Sequence, residues 1–251
     1  LLLAGLLPLS ANAGLLALWK LDSSPADELQ NFPATWEGTA AYTTAVQPAN
    51  SSAAAVLNGS QWLNGGSNLA LERNMAFSAS AWIKGNPQDS AILGDMDHGT
   101  GRKGWEFHVG STENGAPGNS LTFSLNNDFP AFAIQVNANV NVLDGQWHHV
   151  AFTYDGSSRA VGVRIYVDGA LATTTAPLDS LVADIASNGT ARFNIGSRSQ
   201  GAACNFNGGI DEVALFNHAL TQVEITTMRQ SGAESISTPF LEDTIPLPRQ
   251  N

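Results

Sequence analysis

The stretch from Asp144 to Gly169 contains two strand-like segments joined by a turn, and it constrains the fold more than any other part of the chain. Between Trp147 and Tyr154 the apolar and aromatic residues leave no room for a helical stripe. From Val161 to Val167 every second residue is apolar, which is the period typical of a strand. The Asp155-Gly156-Ser157-Ser158 segment supplies turn chemistry between them. The stretch therefore predicts a β-hairpin.

Strand-like alternation recurs along most of the chain. Phe77, Ala79, Ala81 and Ile83 alternate with more polar neighbours and predict another strand. Further segments are typical of strands: Leu15–Leu21, Trp105–Val109, Leu121–Leu125, Phe132–Val136, and Ala53–Leu63 with an Asn58-Gly59 turn inside it. The residues between Thr173 and Gly189 are expected to form a long connection. The pattern predicts an all-β sandwich of two antiparallel sheets with about five to seven strands each.

One helix is expected near the end of the chain. Thr221 and Glu224 have the spacing of a capping box, and Leu220 can contact Ile225 as a hydrophobic staple. Arg229 and Gly232 suit the last turn and the end of a helix. A short C-terminal helix from Thr221 to about Gln230 is predicted on the outside of the sandwich.

The hairpin also carries a family resemblance. Its residues W-H-H-V-A-x-T-Y-D-G, followed by I-Y-V-D-G, resemble the strand pair of the laminin G-like, concanavalin A-like jelly-roll superfamily. Three further segments are similar to strands of that family: AFSASAWIK from Ala76, FNIGS from Phe193 and FNGGIDEVALFNHAL from Phe206. The resemblance extends from about Leu15 to Met228 and implies a jelly-roll fold. Because this fold serves lectins, adhesion modules and glycanases, it implies no single function.

Composition excludes some partners. The chain has 251 residues and a formal net charge of −11, with no basic cluster. These properties argue against nucleic acid and anionic membranes as partners. Cys204 is the only cysteine, so no disulfide forms within the chain, and we expect an ordinary small residue beside a strand.

The N-terminus is typical of an exported protein. An apolar run from Leu1 to Leu9 is followed by Ser10-Ala11-Asn12-Ala13, which has the form of a signal-peptidase site. Residues 1–13 are therefore predicted to be the remnant of a signal peptide, and the mature protein to be secreted, extracellular or at the cell surface, without membrane insertion. The alternative is a first strand of a cytosolic protein. Residues 14–232 then form the sandwich, and the Ser-, Thr- and Pro-rich residues 233–251 a tail or linker.

A ligand-binding rim is expected at the loops 94–104 and 110–119, with Phe129 and Phe132 nearby, because polar groups there lie beside aromatic ones. The candidate residues are Asp95, Asp97, Trp105, Glu106 and Phe129. An aromatic ring can stack on a sugar, and carboxylates can accept hydrogen bonds from its hydroxyls. Asp95, Asp97 and Glu106 also occupy the first, third and twelfth positions of an EF-hand loop.

The remaining positions of that calcium-loop template do not match. Gly99 and Thr100 stand where the template requires an acidic or amide residue and a glycine. The EF-hand interpretation is therefore set aside, and a looser cation site or an ordinary polar loop remain as alternatives.

A structural calcium ion is implied by the family resemblance. Many members hold a cation on the convex side, with a carbonyl near the first strand, a glycine carbonyl near the second or third strand, and an aspartate on the last strand. The matching positions here are Asp22 or its neighbour, Gly59 and Asp211. An unpaired carboxylate near a sheet core costs several kcal/mol, so Asp211 requires a partner. That partner is either Ca²⁺ or a salt bridge with backbone hydrogen bonds.

Known catalytic patterns are absent from the sequence. Retaining glycanases of this fold carry paired carboxylates on one strand face, as E-x-D-x-x-E or E-x-D-x-E, and no such run occurs. The leading hypothesis is a non-catalytic recognition module that binds carbohydrate or a cell-surface or extracellular partner. The alternatives are a divergent glycoside hydrolase or polysaccharide lyase, and a structural adhesion spacer.

Overall fold

Two antiparallel β-sheets pack face to face, as the alternation predicts. The computed structural model describes residues 14–44, 51–66, 69, 71–85, 89–99, 101–185 and 192–236. The predicted signal-peptide remnant, 1–13, lies outside this described part. The first eight strands are β1 Leu15–Trp19, β2 Thr35–Glu37, β3 Tyr42–Thr43, β4 Ala54–Asn58, β5 Trp62–Asn64, β6 Phe77–Gly85, β7 Ser90–Met96 and β8 Gly104–Val109. The others are β9 Leu121–Asp128, β10 Phe132–Ala138, β11 His148–Tyr154, β12 Val163–Val167, β13 Ala170–Leu171, β14 Thr174–Asp179, β15 Phe193–Ile195 and β16 Asn207–Phe216.

Each sheet has eight strands, rather than the five to seven predicted. Sheet A has the order β13-β12-β11-β6-β16-β4-β3, with β1 also paired to β16. Sheet B has the order β14-β10-β9-β8-β7-β15-β5-β2. The additional strands are short edge strands such as β2, β3 and β13, in which two or three residues are too few to show alternation.

The core lies between the sheets and is rich in aromatic rings. Phe77 and Phe152 project into it from sheet A, and Phe107 and Phe123 from sheet B. The rings of Phe152 and Phe123 stack with centroids 4.1 Å apart, which joins the two sheets directly. Such aromatic pairs contribute about 0.5–1.5 kcal/mol beyond the area they bury. The inward direction of Phe107 also fixes the outward direction of its neighbours on β8, Glu106 and His108.

The predicted hairpin is present. β11 and β12 pair from Val150 opposite Val167 to Tyr154 opposite Val163. Val161 differs from the prediction, because it lies in a 3₁₀ turn over Ala160–Gly162 and is 83% exposed. The second strand therefore begins at Val163, two residues later than the alternation indicates.

The turn at Asn58-Gly59 connects strands of different sheets. β4, before the turn, belongs to sheet A, and β5, after it, belongs to sheet B. Gly59 has a φ of 84°, a conformation that glycine adopts readily. The turn therefore carries the chain from one layer to the other instead of closing a hairpin.

Part of the expected long connection is in fact a strand. Within residues 173–189, β14 pairs with β10 at the edge of sheet B. Five of its six residues are exposed, so it lacks the apolar face that identifies a half-buried strand. Edge pairing through the backbone forms it instead.

The helix α1, Gln222–Ser231, lies on the outer face of sheet A. Thr221 accepts a hydrogen bond from the Glu224 N–H, and Glu224 accepts one from the Thr221 N–H, so the predicted capping box is formed. Ile225 and Met228 are buried against a small second apolar cluster that includes Leu220. No helix in the described ranges has the length and apolar character needed to cross a membrane.

The packed domain continues past Gly232, where the sequence placed its boundary. Ala233 and Ile236 are 3% and 4% exposed and contact the cluster beneath α1. The rest of the predicted tail, 237–251, lies outside the described residues.

Candidate functional site

A small groove lies on the outer face of sheet B. Trp105, Phe107 and Val109 point into the core, so the alternate residues of β8 face the groove. The groove is lined by Met96, Arg102, Glu106, His108, Ser111, Glu113, Thr122, Ser124, Asn126, Phe129, Gln135 and Arg198. A polar outer face with a concave surface is the arrangement expected of a binding site.

A buried ion pair forms the floor of the groove. The Arg198 guanidinium donates hydrogen bonds from Nε and Nη2 to the Glu106 carboxylate, with Nε 2.9 Å from Oε1. The side chains are 9% and 3% exposed. Burial tends to lower the pKa of Arg198, but the adjacent Glu106 outweighs it and raises that pKa. The two side chains therefore hold each other in place.

A network of amides continues the floor across β9 and β10. Gln135 Nε2 donates to the Glu113 carbonyl at 3.0 Å and to Asn137 Oδ1 at 2.9 Å. Asn114 Nδ2 donates to Gln135 Oε1 at 2.7 Å. By contrast, Asn126 Oδ1 lacks a hydrogen-bond partner within the described part of the chain. The floor is thus largely pre-positioned and keeps an unused acceptor.

An aromatic and charged wall borders the groove at Phe129. The Arg102 guanidinium lies 4.8 Å from the centroid of the Phe129 ring. Arg102 Nη1 and Nη2 also donate to the Glu113 carboxylate at 2.6 and 2.9 Å. This pairing lowers the pKa of Glu113, although burial acts in the opposite direction. Phe129 is half-buried, so part of its ring remains open to solvent.

Two of the predicted rim residues lie on the other side of the sheet. Trp105 is 1% exposed and packs on Phe77 with ring centroids 5.2 Å apart, so it belongs to the core and cannot stack on a ligand. Asp95 lies opposite Trp105 and shares its inward-facing side of sheet B. Burial raises the pKa of Asp95 to about 7. Contrary to the prediction, neither Asp95 nor Trp105 therefore faces a ligand at the rim.

Asp95 and Trp105 face inward because most of the loop expected at residues 94–104 is in fact strand. β7 continues to Met96 and β8 begins at Gly104, so only residues 97–103 connect them. Asp97 lies in this turn and accepts a hydrogen bond from the Gly99 N–H at 2.9 Å. Glu106 does face the groove, but Arg198 occupies its carboxylate. Among the five predicted ligand residues, Glu106 and Phe129 line the groove.

Sequence reasoning missed Arg198, His108 and the amide network. Gln135, Thr122 and Asn126 alternate with core residues on β9 and β10. This alternation indicates that the three polar side chains share the outer face of sheet B. Arg198 follows β15 in a loop, and nothing local in the sequence indicates that it reaches Glu106.

A second cluster surrounds Asp211 on sheet A. Asp211 is 0% exposed, and neither of its carboxylate oxygens has a hydrogen-bond partner among the residues described. Burial, with a contribution from nearby Asp22, raises its pKa to about 7. Trp19 pairs with Val213, which directs the chain after β1 towards Asp211. Two of the three predicted metal residues are therefore neighbours.

Asp22 itself is held by the segment before β4. Its Oδ1 accepts hydrogen bonds from the Ser52 N–H at 2.6 Å and the Ala53 N–H at 2.8 Å. The Ser51 hydroxyl, which lies close to Asp211, donates to Asp22 Oδ1 at 3.2 Å and to the Ala53 carbonyl at 2.6 Å. Burial raises the pKa of Asp22, but the bonds from Ser52 and Ala53 outweigh it, so the net shift is downward.

Gly59, the third predicted metal residue, is not part of this cluster. Its N–H donates to the Phe206 carbonyl at 3.0 Å, and its own carbonyl accepts from Asn205 Nδ2 at 3.1 Å. Phe206 is five residues from Asp211 along the chain of β16, which is about 16 Å at the rise of a strand. The predicted set of three ligands is therefore corrected to the pair Asp22 and Asp211.

The two adjacent histidines differ in environment, as expected for neighbours on a strand. His148 Nδ1 lies 2.8 Å from Asp168 Oδ2, and its Nε2 lies 3.1 Å from Asp144 Oδ1. His149 is 2% exposed and its ring meets Trp82 edge-on with centroids 5.4 Å apart. Burial lowers the pKa of His149 to about 4. The pair does not form a shared site.

A family model described as the concanavalin A-like lectin/glucanases superfamily, of the laminin G type, matches residues 57–226. Pappalysin-1 of Mus musculus is 30% identical over 168 residues, which cover 63% of this chain. This chain spans only 10% of the length of that relative.

Solved structures share the fold at low sequence identity. Domain 4 of AbnA, a GH43 extracellular arabinanase from Geobacillus stearothermophilus solved with arabinotriose, is 22% identical, with a TM-score of 0.65. The match covers 87% of this chain and all of that domain. The binding domain of Paraclostridial Mosquitocidal Protein 1 is 14% identical, with a TM-score of 0.63 over 87% of this chain and 52% of that one. The binding domain of Botulinum Neurotoxin DC, solved with SialylT, is 17% identical, with a TM-score of 0.58 over 88% and 52%.

Proposed function

The chain belongs to the concanavalin A-like lectin/glucanase superfamily, and from this premise we propose that it is a non-catalytic module that binds carbohydrate in the groove on sheet B. The observation that carries the proposal is the rigid polar floor built on Glu106 and Arg198, beside the half-open ring of Phe129. Sugars present hydroxyls that both donate and accept hydrogen bonds, and C–H faces that pack on aromatic rings. The groove offers partners for both.

The hydrogen-bonding groups are arranged before a ligand arrives. Gln135 is fixed by Asn114 and Asn137, so little side-chain entropy remains to be lost on binding. Phe129, which borders the groove, would cover a face of the sugar ring.

The state of the carboxylates supports binding rather than hydrolysis. A glycosidase needs one carboxyl as a general acid and a second as a base or nucleophile. Both carboxylates lining the groove are held by guanidinium groups, Glu106 by Arg198 and Glu113 by Arg102. The lowered pKa of Glu113 further disfavours its protonated form. Glu113 is therefore poorly suited to act as the general acid at neutral pH.

The structural relatives support a carbohydrate ligand. The arabinanase domain was solved with arabinotriose and the toxin domain with SialylT. The arabinanase is an extracellular enzyme, and the net charge of −11 here is compatible with solubility outside a cell. We place this domain outside the cell on the same grounds.

We also propose a structural Ca²⁺ ion at Asp22 and Asp211. The fit rests on the Asp211 carboxylate, which is fully buried with no partner in the described part and lies near a second carboxylate. An uncompensated buried charge of this kind is costly, and a divalent cation bound by oxygen ligands would compensate it. The ion would stabilise the contact between the loop after β1 and the closing strand β16.

Binding and catalysis can be separated by one set of measurements. The purified domain is run on affinity gels containing arabinan, xylan or β-glucan, and on a sialylated oligosaccharide array. The same mixtures are assayed for released reducing ends. We expect retention on at least one glycan and no release. Release that disappears in Glu106→Gln would show an enzyme, and no retention on any glycan would instead favour a protein partner or an adhesion spacer.

A further inference from the structure

Three side chains with metal-binding atoms meet beside the groove: Asp89, His108 and Cys204. They come from separate segments, since Asp89 precedes β7, His108 lies on β8, and Cys204 lies in the connection from β15 to β16. The Ala91 N–H donates to the Cys204 carbonyl at 2.8 Å, which fixes that connection against β7. One ligand atom from each residue lies within 4.8 Å of the others.

The separations are close to those of a tetrahedral site. His108 Nε2 lies 2.9 Å from Asp89 Oδ1, and Cys204 Sγ lies 4.0 Å from Asp89 Oδ2. A tetrahedral Zn²⁺ ion with ordinary bond lengths separates nitrogen from oxygen by about 3.3 Å and oxygen from sulfur by about 3.5 Å. Because the two distances involve different oxygens of Asp89, its carboxylate would have to turn so that one oxygen faces both His108 and Cys204.

His108 Nε2 is buried, and its nearest partner is Asp89 Oδ1 at 2.9 Å. The angles of this contact lie outside those of an ordinary hydrogen bond. A poorly aligned contact at a buried polar atom calls for an explanation such as a water or an ion.

We propose that Asp89, His108 and Cys204 bind a divalent transition metal of the zinc type, with a fourth coordination position open. A thiolate, an imidazole and a carboxylate are a donor set for Zn²⁺ or Co²⁺ and not for Ca²⁺, which prefers oxygen ligands. His108 is 4% exposed, whereas Asp89 is exposed and Cys204 half-buried, so an ion can enter from the solvent side. Because His108 also lines the groove, the ion would lie at its edge.

The local electrostatics favour a positive charge at this point. The Asp89 carboxylate lies 2.9 Å from the buried His108 imidazole, and the Cys204 thiol lies within reach of both. Metal binding by imidazole and thiolate releases their protons, so it is expected to strengthen as the pH rises. The competing interpretation is an ordinary ion pair between protonated His108 and Asp89.

Cobalt spectroscopy distinguishes the two. The reduced domain is titrated with Co²⁺, without glycan and with Ca²⁺ in excess so that oxygen-only sites are occupied. We expect one equivalent to bind with a thiolate-to-cobalt charge-transfer band, which Zn²⁺ abolishes. Since Cys204 is the only cysteine, the band reports this residue alone.

The variants Cys204→Ser and Asp89→Asn change solvent-accessible side chains, and circular dichroism checks that they fold. Cys204→Ser is expected to remove the band, and each variant to weaken Zn²⁺ binding at least tenfold. Asp97→Asn and His98→Gln, in the nearby turn, serve as controls and should bind as the wild type does. No thiolate band, or unchanged Zn²⁺ affinity in both variants, would leave only an ion pair and overturn the proposal. Because no sugar is used, this result is independent of glycan binding.

Discussion

Arg198 donates hydrogen bonds from Nε and Nη2 to the carboxylate of Glu106 across the outer face of sheet B, and both side chains are buried. The bond joins a loop after β15 to the centre of β8. It therefore positions the floor of the groove and removes the net charge of a buried acid. Ion pairs of this kind are weak evidence for stability, so their role is better sought in the geometry they impose.

Removing one member of this pair should destabilise the domain more than removing both. Arg198→Met leaves Glu106 buried without its partner, and we expect a loss of about 3–5 kcal/mol in the free energy of unfolding. The double variant Arg198→Met with Glu106→Gln should recover at least half of that loss. Urea denaturation measures both. A single variant within about 1 kcal/mol of wild type would show that the pair is not desolvated as the structure indicates.

Calcium should raise the melting temperature through Asp211. Binding to the native state alone adds about 2.7 kcal/mol when free Ca²⁺ is a hundred times its dissociation constant. In Asp211→Asn we expect no shift with Ca²⁺, and a stability in chelator at least equal to that of wild type, because an unpaired buried charge has been removed. Asp97→Asn is the control and should shift as wild type does. Equal midpoints for wild type with Ca²⁺ and with chelator would rule the ion out.

His149 should make the domain less stable at acidic pH. Burial lowers its folded pKa to about 4, below the ordinary value of 6.5; to a smaller extent Asp168 raises this pKa and Arg229 lowers it further. Below pH 6.5 the unfolded chain therefore binds a proton that the folded chain does not, and stability falls as the pH decreases towards 4. The total effect is up to about 3 kcal/mol. Between pH 6.5 and pH 4 the wild type should lose stability relative to His149→Gln. Parallel curves of unfolding free energy against pH for the two proteins would contradict this prediction.

The layers and faces of the sandwich could be predicted from alternation alone in long strands. Phe77 and Ile83 on β6 lie in the core as predicted. Alternation does not identify the inward face where a strand is short or both of its faces are buried. β8 is such a case, because Glu106 and His108 are as buried as Trp105, so hydrophilic neighbours made Trp105 resemble a rim residue.

The site was harder to predict because its partners are distant in sequence. Asp211 is buried without a hydrogen bond among the described residues, and its proximity to Asp22 follows from the pairing of β1 with β16. The ion at this position stays a prediction. Gly59 was misplaced because an Asn-Gly turn does not reveal which end of β16 it reaches. Arg198 joins Glu106 across 92 positions in sequence, a contact that no local pattern encodes.

Glycan binding by the groove is tested most directly with two phenylalanines. Phe129 lines the groove, whereas Phe132 is 43% exposed and lies outside the lining. Affinity is measured by calorimetry for whichever glycan the gels and array identify, with Phe129→Ala and Phe132→Ala compared in parallel. Loss of about 1 kcal/mol of ring packing predicts an affinity at least about fivefold weaker for Phe129→Ala. We expect Phe132→Ala to bind as wild type does, and an unchanged affinity in Phe129→Ala would contradict the assignment of the groove.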